Sequence, residues 1–348
     1  MLVRGFWDKL EKPIIGLSPM DGVTDAAFRY IVSKYSKPSL TMTEFTNVEG
    51  LARGSDKMLI AFMYDEIERP AVAQIYGVEV ESYYKAGVML CALGFDGIDI
   101  NMGCPANKVA RKGSGAGLIQ TPELAKELIR TTKRACKDWS EGITMKEAGV
   151  HPRIIKKVKE MLPEGKTLKN LPRNEIAVSV KTRIGFDCDV AVEWTKHLME
   201  ELPANISMHG RTLRQMYMGQ ADWEVIAKAG QVTKGTGVSY LGNGDVKSLK
   251  DAHEKIKKYD VDGVLIGRAT FGNPWFFEDK EVGMEERMET LLDHCKYFED
   301  LNYAPFHNIR KHLAWYCKEF EGAREMRKNL MQTENFKSVK EIVESFSS

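Results

Sequence analysis

The stretch SYLGNGDVKSLKDAHEKIKKYDVDGVLIGR, residues 239–268, holds one full period of the chain's architecture. An apolar run of strand length (Ser239–Leu241) ends in Gly242-Asn243-Gly244-Asp245. A helix-like segment follows (Val246–Lys257), and a second apolar run (Gly263–Ile266) ends in Gly267-Arg268. Working outward, the same period recurs. Strand-like runs stand at Ile14–Leu17, Leu40–Thr43, Ala71–Ile75, Gly97–Ile100, Ile176–Val180 and Asn205–Met208, eight in all with the two above. Helix-like stretches fall between them at Ala26–Tyr35, Glu79–Leu93, Pro122–Lys137, Val190–Glu201 and Ala221–Lys228, with Thr121-Pro122-Glu123 as the clearest helix start. Eight alternations, with no GxGxxG after the first strand, predict an α/β fold of the (β/α)8 TIM-barrel type rather than an open doubly wound sheet.

Beyond the eighth strand the pattern changes. Residues 283–348 contain no strand-like run and read as amphipathic helices at Arg287–Leu301, Phe306–Lys318, Ala323–Met331 and Ser338–Ser345. The expected organisation is a barrel over residues 1–282 and a small all-helical C-terminal domain over 283–348. The segment Asp138–Asn174 is too long for an ordinary barrel connection and carries its own helix signal at Pro152–Met161; it is expected to be an insertion.

Composition limits the function classes. The 348 residues carry a net charge of +1, with 43% hydrophobic and 28% charged residues, which is the balance of a globular protein. The longest charge-free apolar stretch, Ala86–Phe95, is about half of the ~20 residues needed to cross a bilayer, so no membrane span is expected. The charged amino terminus lacks a secretory core, and a cytoplasmic location follows. Six cysteines without any CxxC pair indicate neither a disulfide framework nor a thiolate zinc site. Cys91, Cys136, Cys188, Cys295 and Cys317 are expected in the core.

In such a barrel the chemistry lies where the strands end. Gly242-Asn243-Gly244-Asp245 and Gly267-Arg268, at the last two strand ends, suit a phosphate held by backbone N–H groups and an arginine. Lys181, Gln74 and His209 are placed to surround a planar ring, a set that suits a flavin; a lysine there also suits a Schiff base, and position alone does not separate the two. Cys104, in Asn101-Met102-Gly103-Cys104-Pro105, is held on a rigid loop at the site and reads as a general acid or a nucleophile. Gly113-Ser114-Gly115-Ala116-Gly117 lacks a P-loop ending and reads as a mobile lid or a backbone-contact element.

Taken together, the segments Ser18–Asp25, Asp99–Val109, Val180–Gly185, His209–Thr212, Asn243–Asp245 and Ile266–Arg268 resemble the tRNA-dihydrouridine synthases, most of all the bacterial B-type branch. Ile309–Tyr316 resembles the family's helical RNA-binding domain. The resemblance implies an FMN enzyme that takes electrons from NADPH and reduces the C5–C6 bond of a tRNA uridine. It implies FMN contacts at Pro19, Met20, Asp21, Gln74, Lys181, His209, Asn243, Gly244, Asp245, Gly267 and Arg268, uracil contacts at Asn101 and Arg183, and a proton from Cys104 to C5. Asp21 stands where the family usually has alanine, and Asp138–Asn174 lies outside the resemblance. No metal and no protein partner are implied. Rival readings are an FMN barrel acting on a free pyrimidine or enone, and an RNA-binding protein with an idle barrel. Three basic segments (Lys108–Lys137, Lys146–Arg173 and His307–Lys340) favour an RNA partner over solvated helix faces. Within the insertion, Arg153, Lys156, Lys157, Lys159, Lys166 and Lys169 are expected to extend the RNA-binding surface.

Overall fold

The computed structural model describes residues 2–110, 112–163, 165–278 and 280–347. Its nine strands form one all-parallel sheet: β1 Ile14–Leu17, β2 Thr41–Met42, β3 Thr46–Asn47, β4 Ala71–Tyr76, β5 Gly97–Met102, β6 Ala177–Arg183, β7 Asn205–His209, β8 Ser239–Asn243 and β9 Gly263–Ile266. The pairing order β1-β9-β8-β7-β6-β5-β4-β2 is that of a barrel. Closure between β1 and β2 rests on two bonds at the lead-in to β2, Ser39 N to Ile15 O at 2.9 Å and Leu17 N to Leu40 O at 3.0 Å.

The expected second strand, Leu40–Thr43, shortens to Thr41–Met42, and an additional short strand, Thr46–Asn47, follows it. The Thr43 hydroxyl accepts the Gln74 N–H at 3.0 Å, where a ladder carbonyl would otherwise stand, and Glu44 turns to accept the Gly22 N–H at 2.5 Å. The chain therefore leaves the ladder at Thr43 and rejoins it at Thr46, opposite Ile75.

Helices α1 Ala26–Tyr35, α2 Val48–Ala52, α3 Val80–Leu93, α4 Asn107–Ala110, α5 Pro122–Ser140, α6 Pro152–Met161, α7 Ala191–Met199, α8 Trp223–Gly230 and α9 Leu249–Tyr259 lie between the strands. Asp25, Asp222 and Ser248 cap α1, α8 and α9 through their side chains. Thr121 makes no such cap, so α5 opens on Pro122 alone, whose missing N–H needs no partner in a first turn.

Residues two apart on a strand face the same side of a sheet, and here the inward set changes character along the barrel axis. At the N-terminal ends it is apolar: Val72, Ala177, Leu241 and Leu265 pack on Phe6 and Trp7, which plug that end. One or two residues further on it is polar: Gln74, Asp99, Ser179, Ser207 and Asn243. The plug and the apolar layer leave the C-terminal end as the place where buried polar groups gather.

After β9, α10 Met284–Leu301, α11 Arg310–Tyr316, α12 Ala323–Leu330 and α13 Phe336–Ser347 enclose a core of their own, built on residues such as Leu291, Phe298, Leu313 and Leu330. Ala27 and Trp275 of the barrel share that core, and Tyr30 stacks on Tyr297 with ring centroids 3.7 Å apart. Among the described residues no helix is long and apolar enough to cross a membrane.

Two expectations are corrected. Cys188 is exposed, because its loop turns out past Gly185 against the barrel rim, whereas Cys91, Cys136, Cys295 and Cys317 are buried. Residues 113–117 do not form a mobile lid. Gly115–Gln120 is a 3-10 helix whose glycines are buried because the backbone of Cys104 and Ala110 lies too close for any side chain. The insertion's helix α6, expected at Pro152–Met161, packs on the barrel, with Ile154 and Val158 buried against its outer layer.

Candidate active site

Sheet register assembles the site. Gln74 of β4 pairs with Asp99 of β5, Asn101 of β5 with Lys181 of β6, Arg183 of β6 with His209 of β7, and His209 with Asn243 of β8. A single polar row therefore runs around the barrel mouth, although its members are scattered over 170 residues of sequence.

On the β4–β6 side the row is wired to itself. The Ser179 hydroxyl donates to Asp99 Oδ1 at 2.6 Å, and Gln74 Nε2 donates to Asp99 Oδ2 at 2.7 Å. Asn101 Nδ2 donates to Gln74 Oε1 at 2.9 Å, and Asn101 Oδ1 accepts the N–H groups of Gly103 at 3.0 Å and Cys104 at 2.8 Å. This chain of bonds fixes the loop that carries Cys104. Burial raises the Asp99 carboxyl to about 6, against the lowering effect of Ser179, Gln74 and Lys181. Arg183 ties the same loop to the next: its Nε donates to Gly103 O at 2.7 Å, and its Nη1 to Thr212 O at 3.0 Å and Met216 O at 3.2 Å.

Cys104 itself is 7% exposed. Burial pushes its thiol up, with the Ala106 N–H pulling the other way, so at neutral pH it is a protonated thiol and a source of a proton. Lys181 has no hydrogen-bond partner among the described residues, and burial pulls it down to about 8. Burial, with Arg183 and other cations around it, holds His209 well below its ordinary range, so its imidazole is neutral at pH 7.

The β7–β9 side is built differently. Asp245 Oδ2 accepts from Arg211 Nη2 at 2.5 Å and from Ala221 N at 2.8 Å, and Asp245 Oδ1 accepts from Arg268 Nη2 at 3.0 Å. Its side chain is thus engaged within the protein. The backbone N–H groups of Gly244, Asp245, Gly267 and Arg268 have no acceptor among the described residues. Gly244 lies at φ +122, where a Cβ would stand 2.7 Å from Ala221 and 3.0 Å from His209. Two adjacent loops thus offer unpaired N–H groups, with Arg211 and Arg268 beside them on Asp245, the kind of donor set that an anion requires. Met20 reaches Gly267 from the β1 end, with Pro19 half-buried beside it and Asp21 exposed.

The structure therefore brings Cys104, Lys181, Arg183, His209, Asn243, Gly244, Asp245, Gly267 and Arg268 to one mouth, with Pro19, Met20 and Asp21 on its β1 rim. Gln74 and Asn101 stand in the row as well, but their amides bond chiefly to neighbouring protein groups. Sequence reading gave no role to Asp99, nor to Arg211, which it named only at the end of the sixth strand. A carboxylate inside the otherwise apolar run Gly97-Ile98-Asp99-Ile100 was the signal for the first, since a fully buried parallel strand rarely carries a charge. Glu44, which sequence reading placed at the end of the second strand without a role, is half-buried at the mouth beside Asp25 and Asp21 and raised to about 7 by burial.

These residues can hold a phosphorylated ring and deliver a proton. The Dihydrouridine synthase (Dus) family model matches residues 16–147 and 153–348. Within Asp138–Asn174 only 148–152 fall outside it, which corrects the expectation that this whole segment is foreign to the family. A probable tRNA-dihydrouridine synthase of Staphylococcus aureus (strain COL) is 33% identical over 353 residues, covering 99% of this chain and 96% of its own. Probable tRNA-dihydrouridine synthase 2 of Bacillus subtilis (strain 168) is 32% identical over 355 residues, covering 99% and 97%. Among solved structures, a DHODH from Eimeria tenella in complex with ferulenol is similar over 84% of this chain and 86% of its own, at 12% identity and a TM-score of 0.49.

Proposed function

The chain belongs to the dihydrouridine synthase family, and from that premise we propose that it reduces a uridine of tRNA to 5,6-dihydrouridine with FMN as cofactor and NADPH as electron donor, in the cytoplasm. The observation that carries this reading is the pairing of the unoccupied-by-protein N–H groups at Gly244, Asp245, Gly267 and Arg268 with a protonated, buried Cys104 on the same barrel mouth.

The residues fit a flavin mononucleotide. The backbone N–H groups of the two loops and Arg268 would take the phosphate; Lys181, the partnerless cation of the row, would face the ring's electron-rich pyrimidine edge. Pro19, Met20, Asp21, Gln74, His209 and Asn243 complete the wall. When bound, FMN supplies the hydride for C6 of the uracil. The protein's part is acidic and geometric. Cys104 holds the proton destined for C5, because a buried thiol loses it only to a stronger base such as the developing carbanion. The Asp99–Gln74–Asn101 chain keeps the Cys104 loop in place, and Arg183 pins its other flank through Nε, with Nη2 making no hydrogen bond among the described residues. Asn101 and Arg183 would thus position the base through the loops they fix as much as by direct contact.

A uridine within folded tRNA must leave its stack to enter such a mouth, and the surrounding RNA must be held. The helical domain over residues 283–348 would hold it. Purified protein should release FMN on denaturation and form dihydrouridine in unmodified tRNA only when NADPH is added. A colourless protein, or one that reduces free uracil or an enone but not tRNA, would refute the reading.

A further inference from the structure

The helix α6 carries a basic outer face. Arg153, Lys156 and Lys159 recur at a spacing of three and are exposed, while Ile154 and Val158 on the opposite face are buried. By sequence this helix follows α5 and precedes β6, so it would be expected near the plugged end of the barrel. Tertiary packing puts it elsewhere. It lies across α3 and the 3-10 helix Asp56–Phe62, its start held there by contact of His151 with Gly54 and by the Arg153–Asp56 ion pair at 3.5 Å.

That 3-10 helix has a second face. Its residues Lys57, Met58, Ile60 and Ala61 line a cavity of about 400 Å³ at the barrel mouth, between the loops after β1 and β2 and the helical domain's Tyr303, Asn308 and Lys311. Exposed Lys57 therefore stands at the cavity edge, and Arg153, Lys156 and Lys159 continue from it along α6 for about 9 Å. The acids of these two helices are Asp56, paired with Arg153, and Glu160, paired with Lys157, while Asp25 and Glu44 line the inner wall of the cavity. Lys57, Lys156 and Lys159 have no ion-pair partner among the described residues.

We propose that Lys57, Arg153, Lys156 and Lys159 form a phosphate-binding strip that carries the RNA backbone away from the barrel mouth, on the side remote from the helical domain's outer helices. The inference rests on the reading that tRNA is the substrate. It adds a second anchoring surface, placed so that RNA entering the cavity is gripped on both flanks. Such contacts act by releasing counterions, so they set affinity and salt dependence and leave the chemical step alone.

The test compares three full-length holoproteins: wild type, Arg153→Ala/Lys156→Ala/Lys159→Ala, and a charge-matched control, Lys250→Ala/Lys257→Ala/Lys258→Ala, on α9 across the barrel. Affinity for unmodified tRNA is measured against salt, and dihydrouridine formation at saturating tRNA. The strip variant should lose roughly one unit of log–log salt slope per contact, two to three in all, and about tenfold or more in affinity at ~0.1 M salt, with kcat unchanged. The control should match wild type. An unchanged slope in the strip variant, or an equal loss in the control, overturns the strip. Lys156→Ala alone, at a partnerless exposed position, should lose about one unit and keeps the proposal testable if the triple variant fails to fold. Wild type that binds tRNA with a steep salt slope but forms no dihydrouridine would defeat the proposed function while leaving the strip to be judged by its slope.

Discussion

The two sides of the barrel mouth solve opposite problems. On the β4–β6 side, Ser179, Asp99, Gln74 and Asn101 hydrogen-bond to one another and to the Cys104 loop. On the β7–β9 side, Asp245 draws two arginines together while the backbone N–H groups of four residues find no acceptor. Apart from Lys181, the first side is satisfied by protein alone. The second leaves a row of backbone donors unpaired by protein, which a phosphate would complete in the proposed reading. The difference teaches how a barrel divides its labour: a proton donor needs a fixed position and a dry environment, whereas a phosphate site needs unpaired donors, which are costly to bury unless a ligand completes them.

The sharpest way to break the comparison is Cys104→Ala. Dihydrouridine formation should fall by about 10²–10⁴-fold while FMN content and reduction by NADPH persist, as measured by stopped-flow flavin absorbance beside a dihydrouridine assay. Near wild-type conversion would place the acid elsewhere. On the opposite side, Gly244→Ala puts a Cβ 2.7 Å from Ala221 and forces a side chain into φ +122. FMN affinity should weaken about ten- to a hundredfold at an unchanged fold, read by flavin titration of the stripped protein. Equal affinity would mean that the two loops do not hold the phosphate.

Gln74→Ala tests whether the wired side is a unit. It leaves Asp99 Oδ2 and Asn101 Nδ2 without their partners, each at ~1–3 kcal/mol, so the thermal midpoint should fall by several degrees and activity should drop with FMN still bound. A smaller effect follows from Lys181. Its folded value near 8 lies below the ordinary 10.5, so between those values the unfolded chain binds more protons than the folded one. Stability of the flavin-free protein should therefore rise with pH over that window. Lys181→Met should be the more stable protein at pH 7 and should lack the rise; a parallel pH profile would show the ammonium to be well solvated. Cys188→Ser, on the exposed rim, should move stability by no more than about 0.5 kcal/mol and leave both sides intact.

Much of this was legible in the chain itself, for local reasons. The apolar run Gly263–Ile266 and the helix Ala26–Tyr35 match their sequence reading to the residue, because a buried parallel strand and a capped helix are each written in a few adjacent residues. Cys104, Lys181 and the Gly244 loop were found because they follow apolar runs, and in a barrel the strand ends share one face. The sequence also pointed to the family through those same motifs. What it did not specify are relations between residues far apart. That Gln74 bonds to Asp99 and Asn101 rather than standing open, that Asp245 turns its carboxylate to Arg211 and Arg268, and that α6 packs on α3 and the 3-10 helix Asp56–Phe62 all depend on sheet register and helix docking. These are decided by packing over the whole molecule, where burying Ile154, Val158 and the apolar layer above Phe6 and Trp7 outweighs any local preference, and no stretch of sequence contains that sum.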